Sequence, residues 1–181
     1  LAVELARETA FEFDVAWARW FLGLTLLGAG KVAEARGVFQ ECLLVFQEGG
    51  KAGFVGRTLA GLSRAELALG NRTKAWKHAL HSLALNDEVP DFISLLYTLA
   101  TMALLLIDIG EMERAVEVYG LVSRYAFVAN SVWFEHVFGQ HVEGGAALLS
   151  PEVEEAARER GARSDPWQLA KELLEEGETL F

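Results

Sequence analysis

The chain has 181 residues, 52% of them hydrophobic, which is enough for one ordinary core or one short solenoid and too few for a second compact domain. Its formal net charge is −10, which repels phosphate backbones, so we expect no direct contact with nucleic acid. With only three prolines and abundant Ala, Leu and Glu, the composition favours helix over strand throughout and predicts an all-α fold.

The N-terminal residues 1–10 have the pattern of a helix end. AVELARE leads into VAWARWFLG much as each later second helix leads into the next first helix, so we expect residues 1–10 to be the end of a preceding repeat. The sequence starts without an initiator Met, a basic n-region or a small-residue cleavage site. These features predict a fragment of a longer, cytoplasmic protein.

Three helix pairs are predicted next, at residues 14–48, 54–86 and 92–126. Three glycines lie 40 residues apart, and five residues after each of them comes an alanine: Gly30, Gly70 and Gly110, followed by Ala35, Ala75 and Ala115. Glycine suits the left-handed residue that ends a helix, and alanine allows a second helix to cross close to the first. The spacing predicts second helices near 31–48, 72–86 and 111–126.

Two features inside these pairs need a separate interpretation. Cys42, the single cysteine, excludes an internal disulfide framework, and its apolar helical neighbours predict a buried, inert thiol. The stretch from Phe92 to Ile107 carries no formal charge, but its length is below the roughly 20 residues that a bilayer requires. We therefore expect a helix buried between neighbouring helices, and no membrane span.

The C-terminal part, residues 131–181, is predicted to be a degenerate fourth unit with capping helices. A long helix is expected from about Ser131 to Leu149, on the helical spacing of its apolar residues. Ser150 and Asp165 each precede a proline, the arrangement of an N-cap followed by the first helical residue. Two short helices, near 151–160 and 166–177, should therefore close the stack.

This pattern resembles the tetratricopeptide repeat. The first repeat carries the family's pattern at Leu22, Gly23, Gly30, Ala35, Phe39 and Cys42. The period of 40 exceeds the family's usual 34 residues, and the first-helix Trp is replaced by Arg19, Leu59 and Leu99. The resemblance implies a right-handed α-solenoid of antiparallel helix pairs, and it covers roughly residues 14 to 126.

A binding groove is implied by the same resemblance, because the first helices of such repeats line the concave surface. The positions that correspond to this groove and carry aromatic or cationic side chains are Trp17, Trp20, Arg57, Arg64 and Tyr97. Trp, Tyr and Arg often dominate binding energies, so we expect a peptide, a partner protein or a small inducer to bind here. Two arginines beside aromatic rings favour a carboxylate or phosphate on that ligand. The alternative is that the rings pack against one another or against a preceding repeat.

A broader role is implied by the C-terminal stretch, which is similar to segments that end the repeat arrays of large bacterial regulators. In such regulators an ATPase, kinase or helix-turn-helix domain lies elsewhere in the same chain. The resemblance implies a sensor module of a signalling or transcription regulator that works with those other domains. Self-association of the fragment through Trp17, Trp20 and Phe21 is also expected, because a truncated solenoid leaves its end face uncovered.

Catalytic and metal-binding patterns are weak throughout the sequence. Gly30-Lys31 lacks the upstream glycine and the hydroxyl residue of a phosphate-binding loop. The histidines have neither a neighbouring thiolate cluster nor a zinc-protease spacing, so we expect no metal, no cofactor and no enzyme activity. The alternative from another class is a small-molecule-binding or hydrolytic helical domain with a hidden site.

Overall fold

The computed structural model describes the backbone of residues 2–180 and the side chains of residues 11–177. All regular elements in this part of the chain are helical, which confirms the all-α prediction. The first six are α1 Ala2–Gly28, α2 Val32–Glu48, α3 Ala52–Ala68, α4 Arg72–Glu88, α5 Phe92–Asp108 and α6 Met112–Ser123. Each of these helices packs against the next one along the chain, so the fold is an array of repeated helices.

The turns within the three helix pairs share one backbone geometry. Gly30, Gly70 and Gly110 have φ angles of 73°, 78° and 91°, in the left-handed region that the sequence predicts for them. At the first turn the amide of Lys31 donates to the carbonyl of Leu26 at 2.9 Å, and the amide of Gly30 donates to that of Leu27 at 3.0 Å. This is the Schellman arrangement, which satisfies carbonyls that the helix end would otherwise leave unpaired.

The repeated alanines lie inside the core. Ala35, Ala75 and Ala115 are all fully buried, as predicted. The buried helix predicted from the uncharged stretch is also present, since every residue of α5 from Ser94 to Leu106 is buried. None of the helices in the described part of the chain combines the length and the apolar character needed to cross a bilayer.

Hydroxyl and amide groups join α4 to α5 inside the core. The hydroxyls of Ser82 and Thr98 lie 2.7 Å apart, and the side-chain amide of Asn86 donates to the Ser94 hydroxyl at 3.1 Å. Ser82 also donates to the carbonyl of Gly56 in α3 at 2.9 Å. A buried hydroxyl without a partner costs free energy, so these pairs favour one register of α3, α4 and α5 over others.

The N-terminal helix differs from the expectation. Residues 1–10 were predicted to belong to a separate, preceding helix, but α1 is continuous from Ala2 to Gly28. No glycine or proline occurs between residues 2 and 22, so the sequence holds no strong helix breaker at the expected boundary. The expected break is therefore absent over the described backbone.

The segment after α6 also differs, because the single helix predicted from Ser131 to Leu149 is interrupted. A short helix, α7 Ala126–Ala129, comes first. The stretch that was predicted as one helix then consists of α8 Val132–Phe134, a π-helical turn Glu135–Gly139 and α9 Gln140–Ala146. A Cβ at Gly139 would collide with the carboxylate of Glu135 and approach the hydroxyl of Tyr119 to 2.9 Å. A side chain at position 139 would therefore displace the carboxylate of Glu135 from the π-helical turn.

The last two helices are α10 Pro151–Arg163 and α11 Pro166–Leu180, close to the predicted positions. Their N-caps are also confirmed, since Ser150 accepts from the amide of Val153 and Asp165 accepts from the amides of Trp167 and Gln168. Helix α10 packs on α6 so closely that a Cβ at Gly161 would collide with the carbonyl oxygen of Glu117.

The buried alanines generate a first prediction, for Ala75→Leu. We expect the free energy of unfolding to fall by about 1 to 3 kcal/mol, because a larger side chain at a filled helix crossing forces its neighbours apart. Urea unfolding followed by circular dichroism measures this change. The matched control is Ala33→Leu on the exposed face of α2, which should change stability little; equal effects of the two substitutions would contradict the close crossing.

Candidate functional site

The predicted groove residues lie on first helices α1, α3 and α5, and two of them are buried in contact with each other. The rings of Trp20 and Tyr97 meet edge to face, with centroids 5.6 Å apart. Burial raises the pKa of Tyr97 to about 12, an effect that the charge of Arg57 partly offsets. Trp20 and Tyr97 are therefore core residues, which is the alternative that the sequence left open.

Phe54 connects two other predicted groove residues. Its ring centroid lies 5.2 Å from that of Trp17, and the guanidinium carbon of Arg57 lies 4.9 Å from the same centroid. Arg57 is also paired, since Nη2 lies 2.8 and 3.0 Å from the two carboxylate oxygens of Asp91. Asp91 in turn caps α5 by accepting from the amide of Ser94 at 2.8 Å. Arg57 thus ties α3 to the start of α5.

Arg64 lies apart from this group. Its Nε donates to the carbonyl of Val137 at 3.3 Å, and Nη2 lies 3.5 Å from Nε2 of His141. Burial lowers the pKa of Arg64. The guanidinium therefore holds the π-helical turn and α9 against α3, and the structure brings together Trp17, Trp20, Arg57 and Tyr97 without it.

The first-helix face that was predicted as a concave groove is occupied by the chain itself. We call residues 126–146 the covering segment. Its Trp133 donates from Nε1 to the carbonyl of Leu24 in α1 at 2.9 Å, and the rings of Trp133 and Phe134 lie 5.8 and 4.9 Å from that of Tyr97. The expectation of an open groove along all three first helices is therefore corrected.

Three partly exposed rings are linked through ring contacts to the buried pair Trp20 and Tyr97, and we call them the aromatic surface: Trp17, Phe21 and Phe127. Their exposed fractions are 40%, 52% and 44%. Trp17 stacks on Phe21 at 6.3 Å, Phe21 meets Trp20 at 5.2 Å, and Phe127 meets Tyr97 at 5.9 Å. Buried rings thus support the exposed ones from below.

Sequence reasoning missed Phe127 and considered Phe21 only for self-association. The 40-residue spacing gives no information about Phe127, because it lies beyond the third repeat. Two further aromatic residues, Phe134 and Phe138, lie four residues apart, a spacing that places them on one helical face. That spacing was the available signal that this segment packs its rings against something apolar.

Potential reactive groups in the described part of the chain are few. The thiol of Cys42 is buried and donates to the carbonyl of Ala16 at 3.3 Å, and burial raises its pKa to about 11. It is therefore a thiol rather than a nucleophilic thiolate at neutral pH. Residues 11–177 contain no group of three or more His, Cys, Asp or Glu side chains that could hold a metal ion.

Comparisons of this chain with protein-family models, with curated proteins and with solved structures found no match.

The environment of His141 leads to a prediction about pH. Burial, followed by the charges of Arg64 and His136, lowers the pKa of His141 in the folded chain, whereas an unfolded histidine takes up its proton near pH 6.5. The unfolded state thus binds more protons as the pH falls through about 6.5, so the free energy of unfolding should fall there.

His141→Gln should remove part of this dependence in urea unfolding measured between about pH 5.5 and 7.5. The pKa of His78 is lowered by burial as well, so His78→Gln should remove a further part. An unchanged pH dependence in His141→Gln would contradict the arrangement around Arg64.

The contact of Trp133 with α1 leads to another prediction. Trp133→Phe keeps a ring in place but removes the hydrogen bond to Leu24, so we expect a loss of about 1 kcal/mol in the free energy of unfolding. The comparison variant is Trp167→Phe in α11, which makes the same replacement of tryptophan by phenylalanine outside the covering segment. If Trp133→Phe were as stable as the parent chain, the hydrogen bond would contribute nothing to holding the segment.

Proposed function

We propose that this chain is a non-catalytic interaction or sensor module that binds a peptide or partner protein on the aromatic surface. The observation that carries the proposal is the group of three partly exposed rings, Trp17, Phe21 and Phe127, supported by buried rings. Exposed aromatic side chains on a packed base offer a large contact area and lose little conformational entropy on binding.

Apolar side chains are the groups that this surface should recognise in its partner. The sequence favoured a ligand with a carboxylate or phosphate, on the basis of Arg57 and Arg64. Arg57 is paired with Asp91, and Arg64 bonds to the carbonyl of Val137. The carboxylate of Asp91 already balances the charge of Arg57, and Arg64 is tied to the covering segment, so an apolar side chain, which needs only the rings, suits this surface better than an anionic group.

The wider proposal places this module in a tetratricopeptide-like solenoid. In it, α1 and α2, α3 and α4, and α5 and α6 are antiparallel repeats of a right-handed stack. Support comes from the shared left-handed geometry of Gly30, Gly70 and Gly110 and from the buried alanine that follows each of them. We further propose that other domains of a longer, cytoplasmic bacterial regulator respond to binding at this module.

A displayed library of random linear peptides tests the interaction proposal. Selection on the folded chain should enrich peptides that contain aromatic or large aliphatic residues. Their affinity should fall by about tenfold or more for Trp17→Ala combined with Phe21→Ala, because such anchors often contribute 1 to 2 kcal/mol or more. Fluorescence anisotropy with labelled peptides measures the change.

Leu148→Ser is the matched control, because Leu148 is an exposed leucine beyond α9 and outside the aromatic surface. Circular dichroism of each variant checks that the helices are intact. Peptides that bind the double variant and the parent chain equally well would contradict the proposal, and so would a selection that enriches nothing.

A further inference from the structure

A second apolar surface lies between α1 and α2, and we call it the stacking groove. It has a volume of about 250 Å³ and is lined by Phe11, Glu12, Val15, Ala16, Arg19, Glu41, Cys42, Val45 and Glu48. Phe11 is 70% exposed at its edge. Two residues along a helix correspond to a rotation of about 200° around its axis, so Val15 and Trp17 lie on different sides of α1. The stacking groove is therefore distinct from the aromatic surface.

The 40-residue repeat shows what normally covers this side of a first helix. Val15 and Leu22 are 40% and 48% exposed, whereas their equivalents 40 residues later, Val55 and Leu62, are 6% and 1% exposed. The difference arises because the preceding helix, α2, packs against α3. The same positions in α5, Leu95 and Met102, are buried as well. In later units, this side is therefore buried in helix contacts.

The equivalent groove of the second unit has part of its wall formed by the preceding helix. It lies between α3 and α4 and includes Lys51, Val55, His81 and Leu85, the counterparts of Phe11, Val15, Glu41 and Val45. Phe46 of α2 forms part of its wall and is fully buried. A helix with a large apolar ring thus flanks this groove in the second unit, where a pocket of about 280 Å³ stays open beside it.

The charge of the stacking groove indicates the chemistry of its partner. Among the residues whose side chains are described, three carboxylates, those of Glu12, Glu41 and Glu48, line it with one guanidinium. That guanidinium, from Arg19, is paired with Glu41 at 2.8 Å, so Glu12 and Glu48 leave the groove negative. A second copy of this chain would bring the same carboxylates, and like charges across an interface oppose binding. Cationic side chains complement this groove.

We propose that the stacking groove docks a helix of a partner protein, in which a large apolar side chain is flanked by lysine or arginine. The apolar side chain packs against Val15 and Val45, and the helix covers Phe11. The cationic side chains lie beside Glu12 and Glu48. The stacking groove is separate from the aromatic surface. Binding at the stacking groove does not require the interaction proposed for the aromatic surface.

A displayed library of helices tests this inference. The template is the sequence of α2, Val32–Glu48, because this helix covers the equivalent side of the second unit. Its two phenylalanine positions are kept apolar and large, and its exposed positions are varied among Lys, Glu and Gln. Selection on the whole chain should enrich helices with lysine on either side of the apolar positions.

Variants of the chain then locate the bound helix. Val15→Ser should weaken a selected, labelled helix by about tenfold, because it removes an apolar contact at the centre of the groove. Glu12→Gln combined with Glu48→Gln should weaken it several-fold and reduce the dependence of its affinity on salt. Phe21→Ser and Leu148→Ser serve as controls that should leave the affinity unchanged, and Phe21→Ser separates this surface from the aromatic surface.

Several outcomes would overturn the inference. They are a selection that enriches no helix, enrichment of glutamate-rich or uncharged helices, and binding that Val15→Ser leaves unchanged. Sedimentation velocity of the chain alone adds a further test. If the chain is a dimer that Val15→Ser converts to monomer, the occupant of the groove is a second copy and the proposed partner helix is wrong.

Discussion

Close contact between helices at positions without a large side chain is the constraint on which this structure depends. Ala35, Ala75 and Ala115 are completely buried at the second helices of the three pairs. The same requirement recurs at the C-terminal end, where Gly161 of α10 meets the backbone of α6. Packing at this distance brings the backbones together and lets the larger apolar residues interdigitate around each crossing. The glycine turns are secondary to this packing, since they only connect the helices that pack together.

Polar contacts then select one arrangement among several that apolar packing would allow. The hydroxyl and amide pairs of α3, α4 and α5 lie in the core, and Arg57 joins α3 to Asp91 at the start of α5. At the C-terminal end, Arg114 reaches Glu117 on its own helix and Glu172 and Glu176 on α11. Pairs of this kind add little stability individually where they are exposed, but each one is satisfied in a single register.

The helix boundaries could be predicted from the sequence because their signals are local. A glycine ends one helix, and an alanine five residues later lies near the start of the next. Their spacing therefore located α2, α4 and α6 to within about three residues. The covering segment could not be predicted in the same way, because its position depends on contacts with residues more than 100 positions away. For the same reason, the sequence left two interpretations of Trp20 and Tyr97 open, a groove or a packed core, and only the position of the covering segment decides for the core.

The hydrogen bond between Trp133 and Leu24 joins residues that are 109 positions apart in the chain. In an open array of repeats each unit touches only its neighbours, so an end can melt while the remainder stays folded. Here the covering segment contacts α1, α3 and α5 together, and it links the first unit to the third. Displacement of the covering segment would expose apolar rings of the first and third units together, so we expect these units to unfold as one cooperative block rather than as separable repeats.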